Sequence, residues 1–192
     1  MFQVRFHGRG GQGVVTAAEL LSVAAFLERR YAQAFPSFGS ERTGAPVVSF
    51  CRIDDKEIRL REPILEPDAL IVQDPTLLKA SDVFQGLKAN GYLLINSNRK
   101  LNELHLDAVA KLLPAEHVLA VPASELALNN VGRPLPNAAL LGSFAALTGI
   151  VQLQSVVAAI REAFPKKIAD GNVAAATAAH DAVAEAKAHA AA

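Results

Sequence analysis

Four glycines, an arginine and a glutamine stand together near the start of the chain, in Gly8-Arg9-Gly10-Gly11-Gln12-Gly13. Their spacing fits G-x-G-x-x-G in the setting that pattern requires, after a strand-like stretch and before a helical one. A missing Cβ permits positive φ and lets a ligand, or another piece of backbone, come close. The free N–H groups of the following helix, with its dipole behind them, make a place for an anion. Arg9 adds positive charge that suits a phosphate or carboxylate and equally suits a salt bridge. Close packing of a helix on a strand uses the same glycines. Two readings therefore stand: an anion or cofactor contact made by Gly8, Arg9, Gly10, Gly11, Gln12 and Gly13, or a tightly packed turn.

A dinucleotide site asks for an acidic residue at the end of the second strand, about 20 residues on, to hold a ribose hydroxyl. Here the chain enters a loop between Pro36 and Gly44, where Glu41 is flanked by Arg42 and no apolar strand leads up to it. That mismatch argues against nicotinamide binding. The loop itself, AFPSFGSERTGAP from Ala34 to Pro46, is the second place for chemistry. In one reading Glu41 is a general base and Arg42 a carboxylate clamp. In the other, Phe35, Pro36, Phe38, Glu41 and Arg42 form a subunit interface with aromatic anchors. The absence of a neighbouring histidine or metal-ligating set favours the interface.

Other reactive side chains are scattered. His7 ends the first strand beside the turn, where an imidazole titrates near neutrality, although a lone histidine is more often structural. His180 and His189 fall on an alanine-rich helix and read as solvated. No pair of histidines has metal-ligand spacing, and no Ser-His-Asp set is suggested. The single cysteine, Cys51, excludes an internal disulfide and any zinc site or iron–sulfur cluster held by this chain's own thiolates. It reads as a small buried residue. By its residues alone the chain shows no complete catalytic apparatus.

The elements that position these groups follow from periodicity. Phe2, Val4 and Phe6 alternate as a strand, and Val14 to about Glu28 carries Ala17, Leu20, Leu21 and Ala24 at helical spacing. Tyr31 to Gly44 reads as loop. Ala45 to Ile53 alternates as a strand, turns at Asp54-Asp55, and pairs with Glu57 to Arg61 as a hairpin with one wet face. Buried strands are expected at Ala69 to Val72, Tyr92 to Ile95 and His117 to Val121. Helices are expected at about Ala80 to Ala89, closed by Asn90-Gly91, and at Leu104 to Leu113. Asn129 to Pro136 is expected as loop, with Asn137 capping a helix to Thr148. Ala138, Gly142, Ala145 and Gly149 give that helix a small-residue face for close approach. Amphipathic Leu153 to Phe164 and alanine-rich Val173 to Ala192 complete the chain. The alternation specifies an α/β fold: a Rossmann-like, mostly parallel sheet flanked by helices, with a hairpin and a helical C-terminal extension.

Bulk properties narrow the class. The 192 residues are expected as one domain, its helical part starting at about residue 137, and 51% of them are apolar, ample for a core. Formal net charge is zero, which gives nucleic acid no electrostatic footprint. No apolar run approaches the ~20 residues of a membrane span, and a secretory leader pattern is lacking; a cytoplasmic protein is expected.

Two long motifs then carry a resemblance. His7-Gly8-Arg9-Gly10-Gly11-Gln12-Gly13-Val14-Val15-Thr16-Ala17 is followed by Gln33-Ala34-Phe35-Pro36-Ser37-Phe38-Gly39-Ser40-Glu41-Arg42 and Gly44-Ala45-Pro46. Together with Asn137, Leu140-Leu141-Gly142, Ala146-Leu147-Thr148-Gly149, Phe164-Pro165-Lys166-Lys167 and Asn172, they resemble the γ subunit of the 2-oxoacid:acceptor oxidoreductases, the pyruvate:ferredoxin type. The likeness runs from residue 2 to about 183, and Arg29-Arg30 stands where members often have a glycine. The resemblance implies a multi-subunit enzyme that oxidatively decarboxylates a 2-oxoacid with coenzyme A to acyl-CoA, CO2 and low-potential electrons. It implies thiamine diphosphate with Mg2+ and [4Fe–4S] clusters held by α, β and ferredoxin-like δ partners, and ferredoxin or a flavoprotein as acceptor. The positively biased turn from Arg9 to Gly13, beside the aromatic loop at Phe35 to Phe38, adds the expectation that this chain packs on the α and β subunits and contributes to the coenzyme A side of the site. A free-standing nucleotide-binding dehydrogenase and a ligand-free scaffold subunit remain as alternatives.

Overall fold

The computed structural model describes residues 1–37, 43–79 and 82–190. Phe38, Glu41 and Arg42 of the expected interface therefore lie outside the described residues. The chain begins with β1 (Phe2–Arg9), α1 (Val14–Leu27), β2 (Tyr31–Pro36), β3 (Pro46–Asp54), β4 (Ala69–Val72) and β5 (Tyr92–Asn96). A single helical turn, α2 (Asp107–Ala110), precedes β6 (Val118–Val121), and four helices follow: α3 (Ala123–Val131), α4 (Asn137–Thr148), α5 (Leu153–Ala163) and α6 (Lys166–Ala190).

Six strands form one mixed sheet in the order β2-β3-β1-β4-β5-β6. β1, β4, β5 and β6 run parallel to one another, while β3 is antiparallel to both β1 and β2. The expected mostly parallel α/β sheet is therefore present. Its hairpin lies elsewhere: β3 pairs with β2, and Glu57 to Arg61 form no strand. Tyr31–Pro36 forms β2 although the stretch to Gly44 reads as loop, punctuated by Pro36, Gly39 and Gly44 and without a period at Phe35 and Phe38. An edge strand needs only one ladder, and a terminal proline interferes little with it.

Side chains alternate across the pleat. Val4, Phe6, Cys51, Ile53, Ala69, Ile71 and Leu94 join a core with α1, α4, α5 and α6. On the opposite face Leu70, Val72, Leu93, Ile95 and Val118 meet Leu77, Val83 and Leu106 from irregular segments. The helix expected over 80–89 is absent from its described part; 3₁₀ turns at Pro75–Lys79 and Leu101–Leu104 replace long helices there. The Leu104–Leu113 helix shrinks to α2 for the same reason, since a few large residues over a strand end bury enough surface without a full amphipathic helix. Asn129 to Val131 belong to α3, whose buried side is only Ala123 and Ala127 and so leaves a faint periodic signal. α6 starts seven residues before Val173, directly after Pro165.

The small-residue face of α4 seats α6 as expected. A Cβ on Gly142 would fall on the carbonyl oxygen of Ala176. Gly142→Ala gains about 1 kcal/mol of helix propensity. The backbone clash costs more, so urea unfolding is expected to show a net loss of about 1–3 kcal/mol.

Candidate functional site

The carboxyl ends of β1, β4, β5 and β6 lie along one edge of the sheet, the edge where open α/β sheets bind ligands. The glycine turn stands at the end of β1. A Cβ on Gly8 would lie 2.6 Å from Val14 Cγ2, so glycine there brings strand and helix together. Gly13, at φ +71°, is the N-cap of α1 and offers no side chain to it. Consequently the N–H groups of Val14, Val15 and Thr16 keep the free donors of a helix start. They open on a cleft of about 240 Å3 lined by Arg9, Gly10, Gly11 and Val47 as well.

The turn is tied to the end of β4. The Arg9 N–H donates to Gln12 Oε1 at 2.7 Å, and Gln12 Nε2 donates to Asp74 Oδ2 at 2.9 Å. Arg9 Nε lies 3.2 Å from the same Asp74 oxygen. Its remaining donors reach Thr76 Oγ1 at 2.8 Å and the Gly44 carbonyl at 3.0 Å. Thr76 in turn donates through N and Oγ1 to Asp74 Oδ1, at 2.9 and 2.6 Å. Burial works against the Asp74 carboxylate, but the hydrogen bonds from Thr76 and Gln12 and the charge of Arg9 outweigh it and hold its pKa below the usual range. Arg9 is thus compensated rather than a free cation, which sharpens the expectation of a positively biased turn: the helix N–H groups supply the anion-seeking character.

Asp74 and Thr76 were absent from the expected site. Their sequence signal, Gln73-Asp74-Pro75 after a buried strand, reads only as a turn. A larger cleft of about 690 Å3 was also missed. It lies at the ends of β4, β5 and β6, lined by Thr76, Asn96, Ser97, Arg99, His105 and Ser124 among others. Asn96 builds its floor, donating to the Gln73 carbonyl and to Ser124 Oγ and accepting from Ser124 N. Thr76 lines this cleft and bonds to Arg9 of the smaller one, so their pairing is a shared wall.

Chain comparisons decide the affiliation. A family model described as pyruvate ferredoxin/flavodoxin oxidoreductase matches residues 3–182. The chain belongs to that family. It is 47% identical to the Pyrococcus furiosus pyruvate/ketoisovalerate oxidoreductases common subunit gamma, covering 94% of this chain and 96% of that one. It is 45% identical to the Methanothermobacter marburgensis pyruvate synthase subunit PorC, covering 94% and 97%. Among solved structures, the Thermotoga maritima pyruvate oxidoreductase subunit PORC superposes with a TM-score of 0.78 at 33% identity, covering 94% and 95%. The fold alone recurs, at TM-score 0.70 and 16% identity, within 31% of a longer 2-oxoglutarate:ferredoxin oxidoreductase chain from Magnetococcus marinus. The pyruvate ferredoxin/flavodoxin oxidoreductase family thus accounts for the whole described sheet, and this member is a γ-type subunit of a 2-oxoacid oxidoreductase.

The remaining expected residues fall as follows. Phe35 and Pro36 lie on the edge strand β2, where Phe35 packs on Phe50 with ring centroids 5.1 Å apart and beneath the Arg52 guanidinium. Asn137 is the first residue of α4, not its cap; Pro136 holds the cap position, and Asn137 Oδ1 accepts from the next N–H at 2.9 Å. Its side-chain nitrogen closes on Gly13, linking α4 to the turn. Cys51 is buried, and burial pushes its thiol far above the ordinary range, as suits a packing residue. His180 is half-buried rather than solvated and pairs with Asp181 at 3.1 Å, while the His189 side chain lies outside the described ones. No described helix is long and apolar enough to cross a membrane.

His7 takes the structural role. Its Nε2 accepts from Arg5 Nε at 3.0 Å, and burial first, then the nearby Arg5 charge, lowers its pKa to about 4. The folded state therefore keeps His7 neutral, whereas the unfolded chain takes up a proton near pH 6.5. Stability supplied by the neutral ring is full above about pH 6.5 and is lost as pH falls towards 4. The loss amounts to about 3 kcal/mol over that window, and urea titrations should show it diminished in His7→Gln. A second expectation concerns the tie itself. Asp74→Ala strands the donors of Arg9, Gln12 and Thr76 and should lower unfolding free energy by about 1–3 kcal/mol, read by urea denaturation at neutral pH.

Proposed function

We propose that this chain is the γ subunit of a thiamine-diphosphate- and iron–sulfur-dependent 2-oxoacid oxidoreductase, located in the cytoplasm, and that it folds as one domain. Partner α and β subunits and a ferredoxin-like δ subunit hold the cofactors, and ferredoxin or a flavoprotein accepts the electrons. The overall reaction converts a 2-oxoacid and coenzyme A into acyl-CoA, CO2, a proton and two electrons. Thiamine diphosphate supplies carbanion stabilisation for decarboxylation, and the clusters carry single electrons. This chain's donor set agrees with that division: its one cysteine is buried, and among the described residues no three metal-ligating side chains come together. Its own part is to bind. The turn from Gly8 to Gly13 forms one wall of the coenzyme A site, and the stretch from Phe35 to Arg42 faces the partner subunits.

The observation that carries this reading is the uncapped start of α1 opening on the cleft lined by Arg9. N–H groups at a helix N-terminus suit the phosphates of coenzyme A. The engagement of Arg9 with Asp74 and Thr76 favours the scaffold alternative instead, in which the turn only packs.

Arg9→Glu separates the two. It places a second carboxylate beside Asp74 and opposes an anion at the helix start. In the intact complex the apparent KM for coenzyme A should rise roughly tenfold or more, about 1.4 kcal/mol, with the KM for the 2-oxoacid unchanged. Unaltered coenzyme A kinetics in an intact complex would leave the scaffold role.

A further inference from the structure

Strand β2 ends the sheet at the side away from the larger cleft. Among the described residues no strand pairs with its outer edge, and every residue from Tyr31 to Pro36 is at least partly exposed. The register fixes which backbone groups are left over. Ser37 N donates to the Val48 carbonyl at 2.8 Å, and in an antiparallel pair alternate residues bond to the neighbour. Phe35, Gln33 and Tyr31, opposite Phe50, Arg52 and Asp54, therefore bond to β3. Ala32 and Ala34 turn their N–H and C=O outwards.

Exposed edges are normally blunted by lysine, inward-facing charge, internal proline or a bulge. YAQAFP has no charge, no bulge in its register with β3, and proline only at its last position. Ala32 and Ala34 are also the smallest chiral side chains, so nothing crowds an approaching strand. Just before the strand, Phe26 and Leu27 at the end of α1 are 71% and 44% exposed, and Tyr31 is 52% exposed. Phe26 and Leu27 lie on the α1 side of the sheet and Tyr31, on the pleat face of Phe35, on the other, so exposed apolar side chains flank the strand edge on both faces, as at an interaction surface.

We infer that an extended segment of a partner subunit pairs with β2 and continues the sheet, its apolar side chains covering Phe26, Leu27 and Tyr31. The occupant is a strand because the edge offers main-chain donors and acceptors in strand spacing. It belongs to a partner subunit because the relatives of this chain are subunits, and because Phe35 and Pro36 of the same strand run directly into the stretch from Phe38 to Arg42. The inference rests on the reading of this chain as one subunit of a larger enzyme, and turns the side-chain interface proposed above into a main-chain one.

Amide hydrogen exchange resolved to single residues tests it, on the natively purified complex and on this chain alone. In the complex, Ala32 and Ala34 should exchange about tenfold or more slowly than in the free chain, while Gln33 and Phe35, already bonded to β3, stay the same. Ala34→Pro removes an outward donor and no ladder bond, and should cut recovery of the chain with its co-purifying subunits by a similar factor while its thermal unfolding stays near that of the parent. Equal protection of all four amides, or of none, in an intact complex overturns the strand pairing. Protection in the free chain that rises with concentration assigns the edge to a second copy and overturns the partner. A chain purified natively without any other subunit overturns the subunit reading itself.

Discussion

Asp74 leaves the end of β4 facing the glycine turn that follows β1, and its two oxygens are divided between the two. One takes Gln12 and Arg9 from the turn; the other takes the Thr76 hydroxyl and N–H from its own segment. Gln12 passes the connection back to the Arg9 backbone, so the turn closes into a ring of hydrogen bonds. This ring is what lets α1 start on a glycine. A helix beginning with a serine or aspartate spends its first donors on its own cap. Here the turn is held from Asp74 instead, and the helix start is left to other groups. The carboxylate also offsets the arginine, so the turn presents hydrogen-bond donors without an excess of fixed charge.

The two faces of the sheet are built by different means. One is covered by α1, α4, α5 and α6, which satisfy their own backbones and bring mainly apolar side chains to the interface. Irregular segments cover the other, and an irregular segment must find partners for its carbonyls. Buried arginines provide them. Arg5 donates to the carbonyls of Ile64, Val83 and Gln85, and Arg52 to that of Glu62. Burial pushes both guanidiniums below their ordinary pKa, with Asp82 and Glu62 partly restoring them. Buried charge is costly unless fully bonded. Arg5 spreads its charge over three carbonyls and Arg52 over the Glu62 carbonyl and the side-chain oxygens of Gln3 and Gln33, and both fasten segments that have no helix or strand ladder of their own. His7, accepting from Arg5, belongs to this back-face framework although it directly precedes the turn.

How far the sequence revealed this follows the physics of each element. β4 and β5 are apolar runs buried on both faces, bounded by turn residues and too short to make a core helix, so a central strand is what they can form. Gly142 was legible as a contact because small residues recur at helical spacing. β2 was not, since half of what makes it a strand is β3, across a loop. The back-face straps were invisible for a related reason: their order comes from Arg5 and Arg52, distant in sequence, rather than from periodicity. In the site, the turn was readable from its glycines alone. Asp74 was not, because a lone aspartate before a proline looks the same whether it caps a turn or joins two strands. The larger cleft has no motif, being made by strand ends that only the parallel topology gathers.

The position of β3 explains why a dinucleotide-like turn stands here without a dinucleotide site. In the dinucleotide-binding order the strand next to β1 is parallel to it, and its carboxyl end supplies the acid for a ribose hydroxyl. Here that place is taken by antiparallel β3, which sets Pro46, at its amino end, opposite Arg9. Among the described residues, the strand next to the turn on that side therefore presents its amino end rather than a carboxyl end. The chain's next parallel neighbour is β4, and its contribution, Asp74, is already committed to Arg9 and Gln12. The same antiparallel strand carries the hairpin that ends in the open edge of β2. One topological choice thus removes the acid that a dinucleotide site would need and leaves β2 as the edge of the sheet. Both consequences suit a chain that works as one subunit of a larger enzyme.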